Sequence, residues 1–136
     1  LRVPCRRPRC VRPQPIGERS PEAPRVTPPA AVAPQPRSAC VEPYSDVRGC
    51  VRATVTAEGM AWALPIWECI IGLESGFNRW AVGAAGERGL TQVHPVWFGT
   101  FDAARLFEPD YNVRAGITIY RSQGWSAWSV HTSCGV

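Results

Sequence analysis

Residues 74–92 read ESGFNRWAVGAAGERGLTQ and open with a carboxylate, Glu74, that ends an apolar run. The apolar residues just before it are Trp67, Ile70, Ile71 and Leu73. No lysine or arginine lies within four residues of Glu74 on either side. Burial disfavours the charged form of a carboxyl group, so we expect the pKa of Glu74 to be raised toward neutral pH. Such a group is a candidate general acid.

Apolar spacing before this stretch predicts two helices. The first would be capped by Ser45 or Asp46, carries valines four residues apart at 47, 51 and 55, and ends at Gly59. The second begins near Pro65 and stops around residues 75–76. Glu74 then lies at a helix C-terminus, where the helix dipole also disfavours negative charge.

After Glu74 the pattern changes. Glycines at 76, 83, 86 and 89 exclude a helix through 81–93 and favour a short irregular hairpin. We expect a short helix over 96–107, a helix capped by Asp110 that carries Val113, Ile117 and Tyr120, and a final segment, WSAWSVHTSC, after Gly124. The predicted fold class is α+β, mainly α, with a small β lobe.

The first forty residues differ from the rest in composition. They hold ten of the fourteen prolines and eight arginines against two glutamates, and they contain no aromatic residue. We therefore predict a disordered or polyproline-like linker at 1–39 and one folded domain at 40–136. The linker carries a charge of +6 and the remainder −2, which argues against nucleic-acid binding by the domain. A basic linker could also hold the protein near an anionic surface.

Six cysteines in a chain of 136 residues favour disulfides and an oxidising compartment. Fifteen pairings are possible, but Cys5 with Cys10 and Cys40 with Cys50 are near neighbours, which leaves Cys69 with Cys134. No apolar stretch approaches 18 residues, so we expect a soluble, secreted protein without membrane insertion. The chain has no initiator Met and no signal-type run, as expected of a processed or excerpted segment.

Glycosidic bond cleavage needs a protonated acid beside the bridging oxygen, and most glycosidases add a second carboxylate. The other candidates, Glu87, Asp102, Glu108 and Asp110, lack an apolar setting like that of Glu74. The sequence therefore predicts a single-acid mechanism. Two histidines far apart in sequence do not predict a metal site, and no cofactor is expected.

Several residues recur in the order and spacing of one known family. They are Glu74-Ser75-x-x-Asn78, Ala81-Val82, Gly86, Gly89-Leu90-Thr91-Gln92 and Asn112-Val113-x-Ala115-Gly116. Over about 57–134 the chain resembles the soluble lytic transglycosylases of the lysozyme-like superfamily. The resemblance implies a lysozyme-like domain that cleaves the bond between MurNAc and GlcNAc in peptidoglycan. One glutamate would act as acid and then as base, while the sugar's own 6-hydroxyl closes a 1,6-anhydro ring.

The resemblance also assigns roles to residues. Glu74 matches the acid/base, Ser75 its polar neighbour, Gln92 an amide that lines the sugar cleft, and Asn78 a structural asparagine. Three residues at expected substrate-binding positions depart from the family pattern: Thr91 replaces a usual Met, His94 replaces an apolar residue, and His131 replaces a tyrosine near the acid. The imidazole of His131 could serve as a hydrogen-bond partner there.

The C-terminal QGWSAWSVHTSC is also similar to resuscitation-promoting factors, which are related peptidoglycan-cleaving domains. Their disulfide between equivalent regions supports the pairing of Cys69 with Cys134. Of the tryptophans, we assign 62, 67, 125 and 128 to the core, while Trp80 and Trp97 border the glycine-rich lobe and could stack on sugar rings.

The functional hypothesis is a secreted or phage-borne peptidoglycan lytic transglycosylase that acts on glycan strands as a monomer. One rival is a hydrolase of goose-type lysozyme character, in which water replaces the 6-hydroxyl. The other is a non-catalytic wall-binding or virion structural module that keeps the cleft but has lost activity through the departures at 91, 94 and 131.

Overall fold

The computed structural model describes residues 39–136, and this part is mainly helical, as predicted. Three helices, α1 (Val47–Ala57), α2 (Leu64–Ser75) and α3 (Pro109–Gln123), are joined by loops and short 3-10 turns. The predicted linker and the Cys5–Cys10 pair lie outside the described residues. Only Ala39, the last linker residue, is described, and it is buried within the domain.

The ends of α1 and α2 follow from local sequence. Asp46 caps α1 because its Oδ1 accepts a hydrogen bond of 2.8 Å from Gly49 N, which selects it over Ser45. Gly76 ends α2 in the left-handed conformation, with φ 59°, and its N–H donates to Gly72 O. Glu74 is therefore fixed in the last turn of α2, where the sequence placed it.

The glycine-rich segment forms an irregular hairpin but no regular strand within residues 39–136. Its β structure consists of two isolated antiparallel bridges, Val82 with Arg88 and Arg88 with Val93. Gly86 and Gly89 have positive φ and turn the chain before a second pair of residues can join either bridge. The predicted β lobe is thus reduced to these two bridges.

Two predictions about the second half are wrong. The stretch 96–107 holds two separate 3-10 turns, Pro95–Trp97 and Arg105–Phe107, in place of a helix. Asp102 interrupts it, because its Oδ1 accepts from Ala104 N in a local turn. The cap of α3 is Glu108, and Asp110 lies within the first turn because Pro109 already occupies the first helical position.

The core is built around Trp67 on α2, which is fully buried. Its ring lies 5.0 Å from Trp125 and 5.2 Å from Trp128, both in edge-to-face geometry, and 6.1 Å from Tyr120 on α3. The C-terminal segment is thereby packed against α2 and α3. The assignment of Trp62 to the core is wrong, since its side chain is 65% exposed.

Both predicted disulfides in the described residues are present. Cys40–Cys50 ties the N-terminal end of the domain to α1, and Cys69–Cys134 ties α2 to the end of the chain. These bonds indicate an oxidising environment. Across residues 39–136, no helix combines the length and apolar character that crossing a bilayer requires.

Candidate active site

A cleft of about 390 Å³ opens beside the C-terminal end of α2. It is bordered by α2, the glycine-rich hairpin and the C-terminal segment. The residues that line it are Glu74, Gly83, Ala84, Glu87, Gln92, His94, Ala127, Trp128 and Ser129. Three predicted site residues, Glu74, Gln92 and His94, are thus brought together although they are up to 20 positions apart.

Glu74 is half-buried on the cleft wall, and its carboxyl group has no hydrogen bond or ion pair to any other residue in 39–136. Burial raises the pKa of Glu74 above its ordinary value of 4.5, and the negative charge of Glu87 raises this pKa further. The sequence predicted the direction of this shift and its first cause. It missed the second, because Glu87 is 13 positions away in the chain.

Glu87 gives the cleft a second carboxylate, although the sequence shows no apolar setting for it like that of Glu74. The Oε2 atom of Glu87 accepts a hydrogen bond of 3.0 Å from Ala85 N, which folds the side chain back over the hairpin. A Cβ atom at Gly83 would overlap Glu87 Oε2. A side chain at position 83 would therefore displace this carboxylate from its present position.

Gln92 adopts a left-handed backbone, with φ 52°, which is unusual for a residue other than glycine. Its Nε2 group donates to Gly89 O at 2.9 Å and to Ala81 O at 3.2 Å, so the amide nitrogen holds the hairpin together. Its Oε1 atom lies over Gly83, 2.7 Å from where a Cβ would stand. Gln92 thus offers the cleft an acceptor on a fixed side chain.

His94 lies at the exposed edge of the cleft with a defined tautomer. Its Nδ1 atom accepts a hydrogen bond of 3.1 Å from Val96 N and therefore carries no proton in the neutral ring. The proton is on Nε2, which has no protein partner within the described residues. His94 is consequently a hydrogen-bond donor for a molecule in the cleft.

Thr91 lies in the core, so the predicted substrate contact of its side chain is not supported by its position. The side chain is fully buried, and both Thr91 N and Oγ1 donate to Asn112 Oδ1 at 2.8 Å. Its carbonyl oxygen accepts from Trp128 Nε1 at 2.8 Å. Its methyl group packs against Gly116, where any Cβ would lie 2.9 Å away. Thr91 therefore joins the hairpin, α3 and the C-terminal segment.

Asn112 satisfies all four of its polar positions in this buried network. Besides accepting two bonds from Thr91, its Nδ2 group donates to Arg88 O and Leu106 O, each at 2.9 Å. A Cβ at Gly89 would overlap Leu106 O and the Asn112 amide, which explains the glycine there. The side chain of Asn112 therefore ties the glycine-rich hairpin to α3 by hydrogen bonds.

We expect Asn112→Ala to lower the free energy of unfolding by about 3 kcal/mol. The substitution leaves the backbone N–H of Thr91 and the carbonyl oxygens of Arg88 and Leu106 without their hydrogen-bond partner. Urea unfolding monitored by tryptophan fluorescence measures the loss. Asn78→Ala is the matched control, since exposed Asn78 makes one side-chain bond, to Trp80 N at 3.0 Å. Equal losses in the two variants would contradict the network's importance.

Besides Thr91, two other predicted site residues do not line the cleft. Ser75 Oγ donates to Ile71 O, one turn back in α2, at 3.1 Å. His131 Nδ1 bonds Trp128 O at 2.7 Å and therefore carries the proton, since a carbonyl oxygen only accepts. His131 makes no hydrogen bond to Glu74, so the predicted role as partner of the acid is not supported by this placement.

The sequence interpretation also missed cleft residues from the C-terminal segment. Ala127 and Ser129 flank Trp128, which is 95% buried and also borders the cleft. In the sequence, these residues are marked only by the tryptophan in an aromatic segment. A tryptophan in such a segment is equally expected in the core. Within residues 39–136, no group of three His, Cys, Asp or Glu side chains is arranged to hold a metal ion.

Comparisons of the chain with models of protein families, with curated proteins and with solved structures found no match.

Proposed function

We propose that the protein is a peptidoglycan lytic transglycosylase and that Glu74 is its acid and base. The proposal depends on the burial, the lack of polar partners and the raised pKa of Glu74 in the cleft. Its carboxyl group is half-buried, unpaired within the described residues and raised in pKa by burial and by Glu87. A structural carboxylate would be expected to accept hydrogen bonds or pair with an arginine, as Glu68 does with Arg52 at 2.7 Å.

In the proposed reaction, protonated Glu74 donates its proton to the glycosidic oxygen as the bond from that oxygen to the anomeric carbon breaks. The 6-hydroxyl of the same sugar then bonds to the anomeric carbon, and the carboxylate of Glu74 takes the hydroxyl proton. The raised pKa suits both steps, since the group must hold a proton and then regain one near neutral pH. No water is consumed.

Gln92 and His94 would orient the strand in the cleft. Gln92 Oε1 offers an acceptor and His94 Nε2 a donor, and both side chains are fixed by hydrogen bonds to the backbone. A sugar carries hydroxyl and N-acetyl groups that match this pair. Pre-ordered partners lose little conformational entropy when a ligand binds.

One observation favours a second candidate, a hydrolase of goose-type lysozyme character. Glu87 lines the same cleft as Glu74, so a second carboxylate is available to direct a water molecule. Digestion of purified peptidoglycan followed by mass spectrometry separates the two. A transglycosylase leaves anhydro ends that lack one water relative to the reducing ends that a hydrolase leaves. Intact peptidoglycan after digestion would contradict both.

The Glu87→Gln variant also distinguishes a transglycosylase from a hydrolase. For a transglycosylase we expect cleavage to continue, with the alkaline limb of the pH profile shifted to lower pH, because removing the charge of Glu87 lowers the pKa of Glu74. For a hydrolase that uses Glu87 to activate water, we expect a loss of on the order of 10² or more at every pH. Glu108→Gln, which removes a carboxylate paired with Arg105 outside the cleft, is the control.

A further inference from the structure

The wall of the cleft carries two carboxyl groups, those of Glu74 and Glu87, and of its other lining residues only His94 has an ionisable side chain. Within residues 39–136, Glu87 makes no ion pair, and its one side-chain hydrogen bond comes from the backbone N–H of Ala85. The charge of Glu87 reaches Glu74, since it raises the pKa of that group. A ligand in the cleft therefore meets a negative electrostatic potential.

The cations of residues 39–136 are held away from the cleft. All seven are arginines, and each contacts a carboxylate, an aromatic ring or a carbonyl oxygen of a residue that does not line the cleft. Arg88 is the chain neighbour of Glu87, but its guanidinium donates to Ala103 O at 2.9 Å and lies 5.0 Å from the ring centroid of Phe98. Within this part of the chain, no cation neutralises the two carboxyl groups of the cleft.

The sugar that the proposed reaction cleaves has an ionisable group of its own close to the reacting bond. MurNAc carries a lactyl ether on C3. Its carboxyl group is free in strands without peptides and is part of an amide where a stem peptide is attached. Six bonds join the glycosidic oxygen to the lactyl carboxyl carbon, so these two atoms lie within about 8 Å of each other. Glu74 must reach that oxygen, so a free lactyl carboxylate comes close to the charge of the cleft.

We propose that the cleft discriminates against strands with a free lactyl carboxylate and selects strands in which the lactyl group is amide-linked, and that the charge of Glu87 sets this preference. The inference rests on the proposed function and names the form of peptidoglycan that the site prefers. Glu74 is protonated when it acts as the acid, so Glu87 supplies the charge that a bound carboxylate meets. An amide carries no charge that the cleft repels. Specificity then comes from repulsion of the wrong ligand.

The test uses peptide-free glycan strands of one length in two forms, with free lactyl carboxylates and with the same groups converted to methylamides. At low ionic strength we expect the full chain to show a KM about tenfold higher for the carboxylate form, with similar kcat. In about 1 M salt, where the screening length is about 3 Å, we expect the two KM values to agree within about twofold. Equal KM values at low ionic strength would overturn the proposal.

Binding to the Glu74→Gln protein tests the role of Glu87 without cleavage. We expect the methylamide form to bind about tenfold more tightly than the carboxylate form, and Glu87→Gln added to this background to bring the two Kd values together. Glu108→Gln, at a carboxylate paired with Arg105 outside the cleft, is the matched control and should leave the ratio unchanged. A ratio that persists in the Glu87→Gln background or in high salt would assign the preference to shape and overturn the electrostatic role.

The two measurements also separate this proposal from the proposed function. A charge-dependent ratio of Kd values supports the preference even where the wild-type protein releases no fragments, in which case the proposed function alone fails. Cleavage of both strand forms with equal KM leaves the proposed function standing and overturns the preference alone. Absence of both binding and cleavage overturns both proposals.

Discussion

Glu74→Gln is expected to lower the rate of peptidoglycan cleavage by on the order of 10²–10⁴-fold. Glutamine keeps the size and polarity of the side chain but cannot donate a proton to a glycosidic oxygen or take one back. Release of soluble fragments from purified peptidoglycan measures the rate for both proteins. Glu68→Gln, at a carboxylate that pairs with Arg52 outside the cleft, is the control and should keep full activity.

The same substitution should stabilise the fold at neutral pH. The pKa of Glu74 is higher in the folded chain than in the unfolded chain, so its contribution is fully present below the ordinary value of 4.5. That contribution is lost as pH rises through the raised folded pKa, because a charge then has to be held in a partly buried site beside Glu87. Glutamine avoids this cost.

Thermal unfolding of both proteins at pH 4 and at pH 8 measures this effect. We expect the Glu74→Gln variant to melt above the wild type at pH 8 and the difference to shrink at pH 4. Full cleavage activity in the variant would refute the assignment of Glu74 as the acid. A variant that is inactive and also less stable at both pH values would point to a structural role of the carboxyl group.

Local sequence rules predicted the parts of the fold that local interactions determine. Asp46 and Gly76 act through bonds to residues three or four positions away, and these bonds form the helix ends regardless of the rest of the chain. The same rules failed at 96–107, where the side-chain oxygen of Asp102 and the hydroxyl of Tyr111 both bond backbone N–H groups of a turn. The bond from Tyr111 depends on tertiary packing.

The candidate site was predicted only in part, because some of its residues come together through contacts between distant parts of the chain. Glu74 is recognised from the apolar residues before it and Gln92 from the resemblance to the family motif, whereas Glu87 joins them only because the hairpin folds over Gly83. Thr91 has the expected position in the Gly-Leu-Thr-Gln turn, but the amide of Asn112 draws its side chain into the core. Side-chain direction in a turn is set by such distant partners, which sequence spacing alone does not reveal.

Replacing Cys69 and Cys134 together with serine is expected to destabilise the domain by about 4 kcal/mol, because the bond closes a loop of 65 residues in the unfolded chain. We also expect the activity to fall, because the substitution loosens one wall of the cleft. Ala127, Trp128 and Ser129 form one of its walls, and Cys134 anchors their segment to α2. Chemical unfolding measures the stability, and fragment release from peptidoglycan measures the activity.

The double serine variant at Cys40 and Cys50 separates stability from cleft geometry. Its loop spans 10 residues, so the expected loss is about 3 kcal/mol, close to that of the other bond. Neither cysteine belongs to an element that lines the cleft. At a temperature where both variants remain folded, the variant without Cys69–Cys134 should therefore lose more activity. Equal activities would mean that the packing of Trp128 on Trp67 holds the cleft wall without the disulfide.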